Sequence, residues 1–281
     1  MSTSVVIVNW NSGKLLKACI ESLTAAASGV DVVVVDNAST DGSLESIDGF
    51  RDHIDIVRNS VNRGFAAAVN QGFVPTSGSY VLVLNPDLHV MPGSIDILER
   101  FLNANAGAGA VGGYVNEKYL PRDLPTAAAL VRENLGFAAH HPAHHMNGAV
   151  AVDQPAAAAL LVRRDAYDEI AGFDERFFPA WYEDVDFCLR LKASGWKIYF
   201  MPEARFQHEG GYSAAAMGPK AFADAYYHNQ LRYAQKHFGL AARFVVRVSI
   251  AAGMLLRILA RPRNASAYGS VFRESLVGWR R

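Results

Sequence analysis

Residues 80–87 read Tyr80-Val81-Leu82-Val83-Leu84-Asn85-Pro86-Asp87. The apolar run is too short for a helix and continuous enough for a strand covered on both faces. It ends abruptly in an amide, a proline and a carboxylate. Helix capping explains that ending poorly, because the next helical pattern starts only near Pro92 or Ser94. The same construction recurs upstream. Residues 4–8 (SVVIV) hand over to Asn9, residues 30–35 (VDVVVV) to Asp36, and residues 54–57 to Arg58-Asn59. Helical patterns lie between these strands at 14–25, 44–50, 66–73 and 94–103. The first carries Leu15, Leu16, Cys19, Ile20 and Leu23 on one face, with Ser12 as its expected cap. Alternation of this kind predicts an α/β fold with a mostly parallel central sheet flanked by helices. The Asn and Asp handover points then share one sheet edge, where open α/β folds bind ligands.

Farther along, strands are expected at 110–115, 157–162 (a strand or strand–helix junction) and 196–201, with a helix at 164–171. The pattern weakens over 116–152. That stretch includes the histidine run His140-His141-Pro142-Ala143-His144-His145, which has no accompanying carboxylate or Cys and reads as a variable loop rather than a metal site.

Residues 172–196 read GFDERFFPAWYEDVDFCLRLKASGW. Glu183, Asp184 and Asp186 follow Phe177, Phe178, Pro179 and Trp181, which should shield them from bulk water. Desolvated carboxylates are candidates for proton transfer, because burial moves their pKa toward the working pH. Val185, Leu189 and Leu191 are expected to face inward, with Asp186 and Arg190 spaced to pair on a helix. The acids then open a helix, where negative charge is favoured and where acidic residues also occur for structural reasons alone.

The chain has 281 residues, half of them hydrophobic, with a formal net charge of zero. That balance fits a globular protein and argues against nucleic acid as a partner. Cys19 and Cys188 lie far apart on apolar faces and read as small core residues, which fits a reducing compartment. The N-terminus leads straight into a strand, so no signal peptide is expected. No uncharged apolar run of about 18 residues predicts a spanning helix. Charge is uneven, however. From Arg243 to Arg281 there are eight Arg and one Glu, a net +7, which leaves −7 on the remainder.

Residues 220–237 and 243–261 read as amphipathic helices. Arg243, Arg247, Arg257 and Arg261 form a narrow stripe on the second, an otherwise apolar helix, and such a stripe suits an anionic membrane interface. The alternative is a packing helix whose arginines face solvent or an acidic partner. The expected division is therefore a catalytic unit at 1–218 and a C-terminal helical extension at 219–281, which contacts either a membrane surface or another subunit.

The residues quoted resemble the family 2 glycosyltransferases of GT-A fold, most of all the bacterial branch containing rhamnosyltransferases. The resemblance covers roughly residues 4–240 in order: VVIVNWNS, VVVDNASTDGS, NRGFAAAVNQG, LNPD, GFDERFFPAWYEDVDFCLRLKASGW and HEGGYS. It implies an inverting, metal-dependent transferase that moves a sugar from a nucleotide diphosphate donor to a glycan or lipid-linked acceptor. The branch points to rhamnose from dTDP-rhamnose, and to a peripheral enzyme on the cytoplasmic face of the inner membrane. By the same resemblance, Asp36 contacts the nucleoside base, and Asn9, Arg63, Gly64, Asn85 and Asp87 line the nucleotide-sugar pocket. Asp87 and His208 hold Mg2+ or Mn2+. Asp184 is the general base with Glu183 beside it, and Trp181, Tyr182 and Asp186 lie on the acceptor side. Two departures stand out. Asn85 occupies the first acidic position of the metal motif. Ala157-Ala158 replaces a Gly-Ala pair, which is expected to crowd the acceptor wall slightly. Two other readings compete. A dinucleotide-dependent dehydrogenase would need a Gly-x-Gly-x-x-Gly turn, but the first turn is Asn9-Trp10-Asn11-Ser12-Gly13. A non-catalytic sugar-nucleotide or glycan-binding module would not need Asp87, Asp184 and His208, all of which are present.

Overall fold

The computed structural model describes residues 2–27, 29–137, 147–208, 217–260 and 265–278. The His140–His145 run and the Glu209–Ser213 part of the late motif lie outside the described residues, as do Arg261, Arg263, Arg280 and Arg281.

The first half alternates strand and helix as its apolar pattern requires. It comprises β1 (Thr3–Asn9), α1 (Leu15–Ala26), β2 (Asp31–Asp36), a short 3-10 helix (Glu45–Phe50), β3 (Asp55–Arg58), α2 (Phe65–Phe73), β4 (Tyr80–Leu84), β5 (Leu88–Val90) and α3 (Ser94–Ala104). After these come β6 (Ala108–Tyr114), α4 (Ala127–Asn134), β7 (Val150–Ala151), β8 (Ala159–Arg163), α5 (Arg164–Glu169), α6 (Glu183–Ala193) and β9 (Lys197–His208). Three helices close the chain: α7 (Pro219–His237), α8 (Leu240–Ala260) and α9 (Ala265–Val277).

Among the described residues, nine strands form a mixed sheet of order β3-β2-β1-β4-β8-β6-β9-β5, with β7 beside β9. The β3-β2-β1-β4 half is parallel. Alternate side chains of its central strands serve opposite faces, as the pleat demands. Val5, Ile7, Val32, Val34 and Leu82 pack with Leu16, Ile20 and Leu23 of α1 and with Leu98 and Leu102 of α3. Val6, Val8, Val33, Val35 and Val83 pack with Ala68 and Phe73 of α2 and with Phe187 and Leu191 of α6. The small residues of α2 allow a close approach. A Cβ on Gly72 would sit 2.3 Å from Val6 Cγ1. A third cluster joins Phe177 and Tyr182 to Leu130 of α4, Leu231 of α7, Val246 and Ile250 of α8 and Val271 of α9.

Strand direction decides what reaches the ligand-binding edge. β1, β2 and β4 end together there, with Asn9 opposite Asp36 and Ile7 opposite Leu84. β8 is antiparallel to β4, so it starts where β4 ends, with Ala159 opposite Leu84. β9 is parallel to β6 and also ends at this edge. β5 is antiparallel to β9, which puts Leu88 opposite His208. One edge thus collects the ends of six strands and the beginnings of two.

Several local expectations change. β3 is an edge strand with half-exposed side chains rather than a buried one. Ser12 does not cap α1, whose N-cap is Lys14; its hydroxyl donates to Asn9 Oδ1 instead. β9 runs on to His208, well past Met201. The very short β5 and β7 lie below the length at which an apolar period can be read.

Candidate active site

The handover residues bind one another rather than capping helices. Asn9 Nδ2 donates to Asp36 Oδ1 at 2.7 Å, Ser43 Oγ at 2.9 Å and Ser39 Oγ at 3.0 Å. The Ser39 backbone N–H donates to the other Asp36 oxygen at 3.2 Å. Next to this knot, Asn37 Oδ1 accepts from Asn59 Nδ2 at 2.9 Å, and Asn37 Nδ2 donates to the Gly64 carbonyl at 3.1 Å. These bonds fix the loops after β1, β2 and β3 as one unit. Asn9 is fully buried with its amide engaged, so it shapes the Asp36 loop from beneath. Arg63 lies exposed on the rim. Gly64 has φ 85, and a Cβ there would meet Phe178 Cδ2 at 2.9 Å and the Pro179 carbonyl at 3.0 Å. Only glycine combines that backbone with that approach.

Asp87 and His208 meet because β5 pairs with the end of β9. His208 Nε2 stands 3.2 Å from Asp87 Oδ2, and the Tyr119 hydroxyl lies 3.3 Å from the same nitrogen. Burial raises the Asp87 pKa above the usual carboxylate range, against the opposing pull of His208. Asp87 Oδ1 is buried and finds no hydrogen-bond partner among the described residues. A dry, unpaired carboxylate oxygen beside an imidazole is a donor set that suits a hard divalent ion. Among the described residues, no three or more His, Cys, Asp or Glu side chains converge. Waters and substrate phosphates commonly complete the coordination sphere of such an ion. Asn85 adjoins through its backbone, its N–H donating to the Ala158 carbonyl at 2.9 Å.

The acids at α6 sit on a strained turn. Trp181 and Tyr182 have φ 76 and 71, values that bulky residues adopt only when their surroundings enforce them. Helix α7 does the enforcing. Asn229 Nδ2 donates to the Phe178 and Ala180 carbonyls at 3.1 and 2.8 Å, and Gln230 Nε2 donates to the Tyr182 hydroxyl at 2.9 Å. Glu183 and Asp184 then open α6. Asp184 Oδ1 accepts from the Val185 N–H and Oδ2 from Gln154 Nε2, both at 2.8 Å. Burial raises both acids, and the Asp184 charge pushes Glu183 farther up. Glu183 Oε2 finds no hydrogen-bond partner among the described residues, whereas Asp184 has two donors that favour its ionised form. Of the two, Glu183 is the acid held farther above its usual range, and Asp184 is the one that receives hydrogen bonds.

One segment runs past both acidic centres. Tyr119 stands beside His208, Arg122 donates back to the Lys118 carbonyl and pairs through its backbone with Gln154, and Gln154 holds Asp184. On the other flank, the Phe65 N–H donates to the Pro179 carbonyl at 2.7 Å, tying the Arg63–Gly64 loop to the turn that carries the acids. Tyr119, Arg122 and Gln154 were not singled out in the sequence, because they fall in or beside the stretch without apolar periodicity.

Three features expected on the acceptor side are buried. Asp186 is fully buried and pairs with Arg190 Nε, Lys236 Nζ and His237 Nε2, each at 2.7 Å, so it joins α6 to α7. The pairing with Arg190 is the one its spacing predicts. Tyr182 is buried in the α7 interface. Ala157 and Ala158 fill the cores on the two sides of the sheet and add no bulk to an open wall. Trp181 remains half-buried, edge-on to Phe222 with ring centroids 4.8 Å apart. Both cysteines are free and buried, and burial pushes their thiols up.

Comparison with known proteins agrees with this geometry. The family described as "Glycosyl transferase family 2" matches residues 4–163, and "Glycosyl transferase family group 2" matches residues 89–269. An N-acetylglucosaminyl-diphospho-decaprenol L-rhamnosyltransferase of Mycobacterium tuberculosis is 28% identical over 88% of this chain and 90% of its own length. Rhamnosyltransferase WbbL of Escherichia coli K12 is 24% identical over 78% of this chain and 87% of its own. In fold, the chain resembles mannosyltransferase PcManGT of Pyrobaculum calidifontis, solved with GDP-Man and Mn2+. The TM-score is 0.64 at 13% identity, covering 99% of this chain and 88% of that one. It also resembles residues 1–349 of TarS from S. aureus, solved with UDP-GlcNAc, with a TM-score of 0.58 at 14% identity and coverages of 99% and 92%. With the sheet order, the acid-bearing edge and these matches together, the chain is a glycosyltransferase of GT-A fold and belongs to glycosyl transferase family 2.

Proposed function

We propose that the protein is an inverting, metal-dependent transferase that moves rhamnose from dTDP-rhamnose to a hydroxyl of a lipid-linked glycan at the cytoplasmic membrane face. The rhamnosyltransferase relatives support the choice of sugar. The observation that carries the chemistry is the gathering of two acidic centres, Asp87–His208 and Glu183–Asp184, along one sheet edge.

In this reading the loops after β1, β2 and β3 hold the nucleotide, with Asp36 presented by Asn9 and with Arg63 and Gly64 on the rim. Asp87 and His208 hold Mg2+ or Mn2+, which when bound offsets charge on the leaving diphosphate as a Lewis acid. Asp184 accepts the proton of the acceptor hydroxyl as that oxygen bonds to the anomeric carbon. The bond from that carbon to the diphosphate oxygen breaks, and the nucleoside diphosphate leaves. One base and no separate nucleophile give a single displacement with inversion. Glu183, raised above the usual carboxylate range by burial and by the Asp184 charge, stands beside that base. Trp181 offers a half-buried ring face on the acceptor side.

A panel of nucleotide sugars with Mg2+ or Mn2+ tests the donor. The Asp184→Asn variant should bind donor normally, as read by thermal shift, yet lose turnover by about a thousandfold. Turnover at the wild-type rate would remove Asp184 as base.

A further inference from the structure

A helix on a protein surface usually turns its apolar stripe inward and its charges outward. Helix α8 does the reverse. Its exposed positions include Leu240, Phe244, Val248, Leu255, Leu256 and Leu259, and every exposed residue on it is Leu, Ala, Val or Phe. Phe244 is 68% exposed and Leu259 73%. At about 100° per residue, Arg243, Arg247 and Arg257 fall on the opposite arc, with the buried Val246, Ile250 and Met254. Of the stripe expected to meet a membrane, Arg243, Arg247 and Arg257 therefore lie on the arc that faces the protein. Arg257 Nη1 donates to the Asn134 carbonyl at 2.6 Å, at the end of α4. Arg247 Nη2 donates to the Leu276 carbonyl at 2.8 Å, at the end of α9. Both guanidinium groups complete helix C-termini, where carbonyls lack partners and positive charge is favoured.

We infer that the outward apolar face of α8, from Leu240 to Leu259, lies in the plane of an anionic lipid surface. Two observations select lipid over other occupants. Residues 243–281 carry eight Arg and one Glu, and α8 itself has no acidic residue. A two-fold pairing of this face would bring two such +7 segments together, whereas an anionic headgroup layer neutralises them. The helix also holds three arginines within its 21 residues, and no helix among the described residues is long and apolar enough to cross a membrane. An exposed apolar face on a segment of net positive charge is the arrangement that settles at the interface without spanning it. The inference deepens the lipid-linked acceptor reading, but its test involves neither donor nor acceptor, so the two fail separately.

The full chain is mixed with vesicles of phosphatidylcholine alone and of equal parts phosphatidylcholine and phosphatidylglycerol, then sedimented. Wild type should pellet with the anionic vesicles and much less with the neutral ones. The variant carrying Phe244→Glu and Leu259→Glu should lose at least about tenfold in vesicle affinity, with an unchanged melting temperature because both side chains are exposed. Val74→Glu, which places a charge at an exposed apolar site just past the end of α2, should bind as wild type does. Val248→Trp gives an independent reading through quenching by nitroxide-labelled lipid. Equal binding by the double variant, no quenching of Trp at 248, or failure of wild type to bind would overturn the inference. So would a concentration-dependent dimer that the double variant abolishes in the absence of vesicle binding, since that result gives the face to a second copy.

Discussion

Neighbouring carboxylates at the start of α6 have different surroundings. Glu183 is buried with one oxygen that finds no partner among the described residues, while Asp184 receives two hydrogen bonds. A carboxyl whose folded pKa lies above its unfolded value binds its proton more tightly in the native state. Its contribution to stability is complete at low pH and is lost as pH rises toward the folded pKa. The Glu183→Gln variant escapes that loss. Thermal melts from about pH 5 to about pH 8 should show the variant gaining on wild type as pH rises; a gap independent of pH would mean that Glu183 is ionised. Gly64→Ala should destabilise by about 1–3 kcal/mol, measured by denaturant unfolding, because φ 85 and contact with Phe178 and Pro179 leave no room for a methyl. At this scale the sequence was only partly legible. Asp87, Asp184 and His208 were named through resemblance, since spacing along the chain does not bring them together. Gln154 and Tyr119 carried no mark, because an amide or phenol in an aperiodic stretch looks the same whether or not it touches a functional group.

At the level of elements, the outcome depends on what a periodic pattern can report. β4 matches its apolar run residue for residue, because a strand covered on both faces has no polar face to blur its ends. For α8 the period correctly grouped the arginines, yet it was silent about which face meets the rest of the chain. The helix reads the same either way, and only the carbonyls at the ends of α4 and α9 decide. Arg257→Ala should accordingly cost about 1–2 kcal/mol by denaturant unfolding, with no change in vesicle binding beyond that from one lost charge. Asp186 is a hub of the α6–α7 contact. Asp186→Asn leaves Arg190 and Lys236 without this counter-charge and weakens the acceptor that faces His237, and a loss of about 3–5 kcal/mol is expected. A loss near zero would show that these side chains find other partners.

Across the whole molecule, the parallel half was legible because β–α alternation is a local pattern that repeats. The insertion of β8 between β4 and β6 was not, because antiparallel pairing between residues some eighty positions apart leaves no periodic trace in either partner. That insertion brings Gln154 to the edge where β4 ends. Asp87→Asn and His208→Ala should each reduce the thermal stabilisation that nucleotide sugar gains from added Mn2+, and the double variant should lose less than the sum of the two, as a shared ion requires. The β5–β9 pairing also carries a consequence for biosynthesis. Asp87 is translated early and His208 more than a hundred residues later, on the final strand of the sheet. A nascent chain still short of β9 has the loops after β1, β2 and β3 but no imidazole to face the carboxylate. The ribosome must finish that strand before the centre exists, so a premature stop upstream of it yields a polypeptide that lacks this centre whatever else has folded.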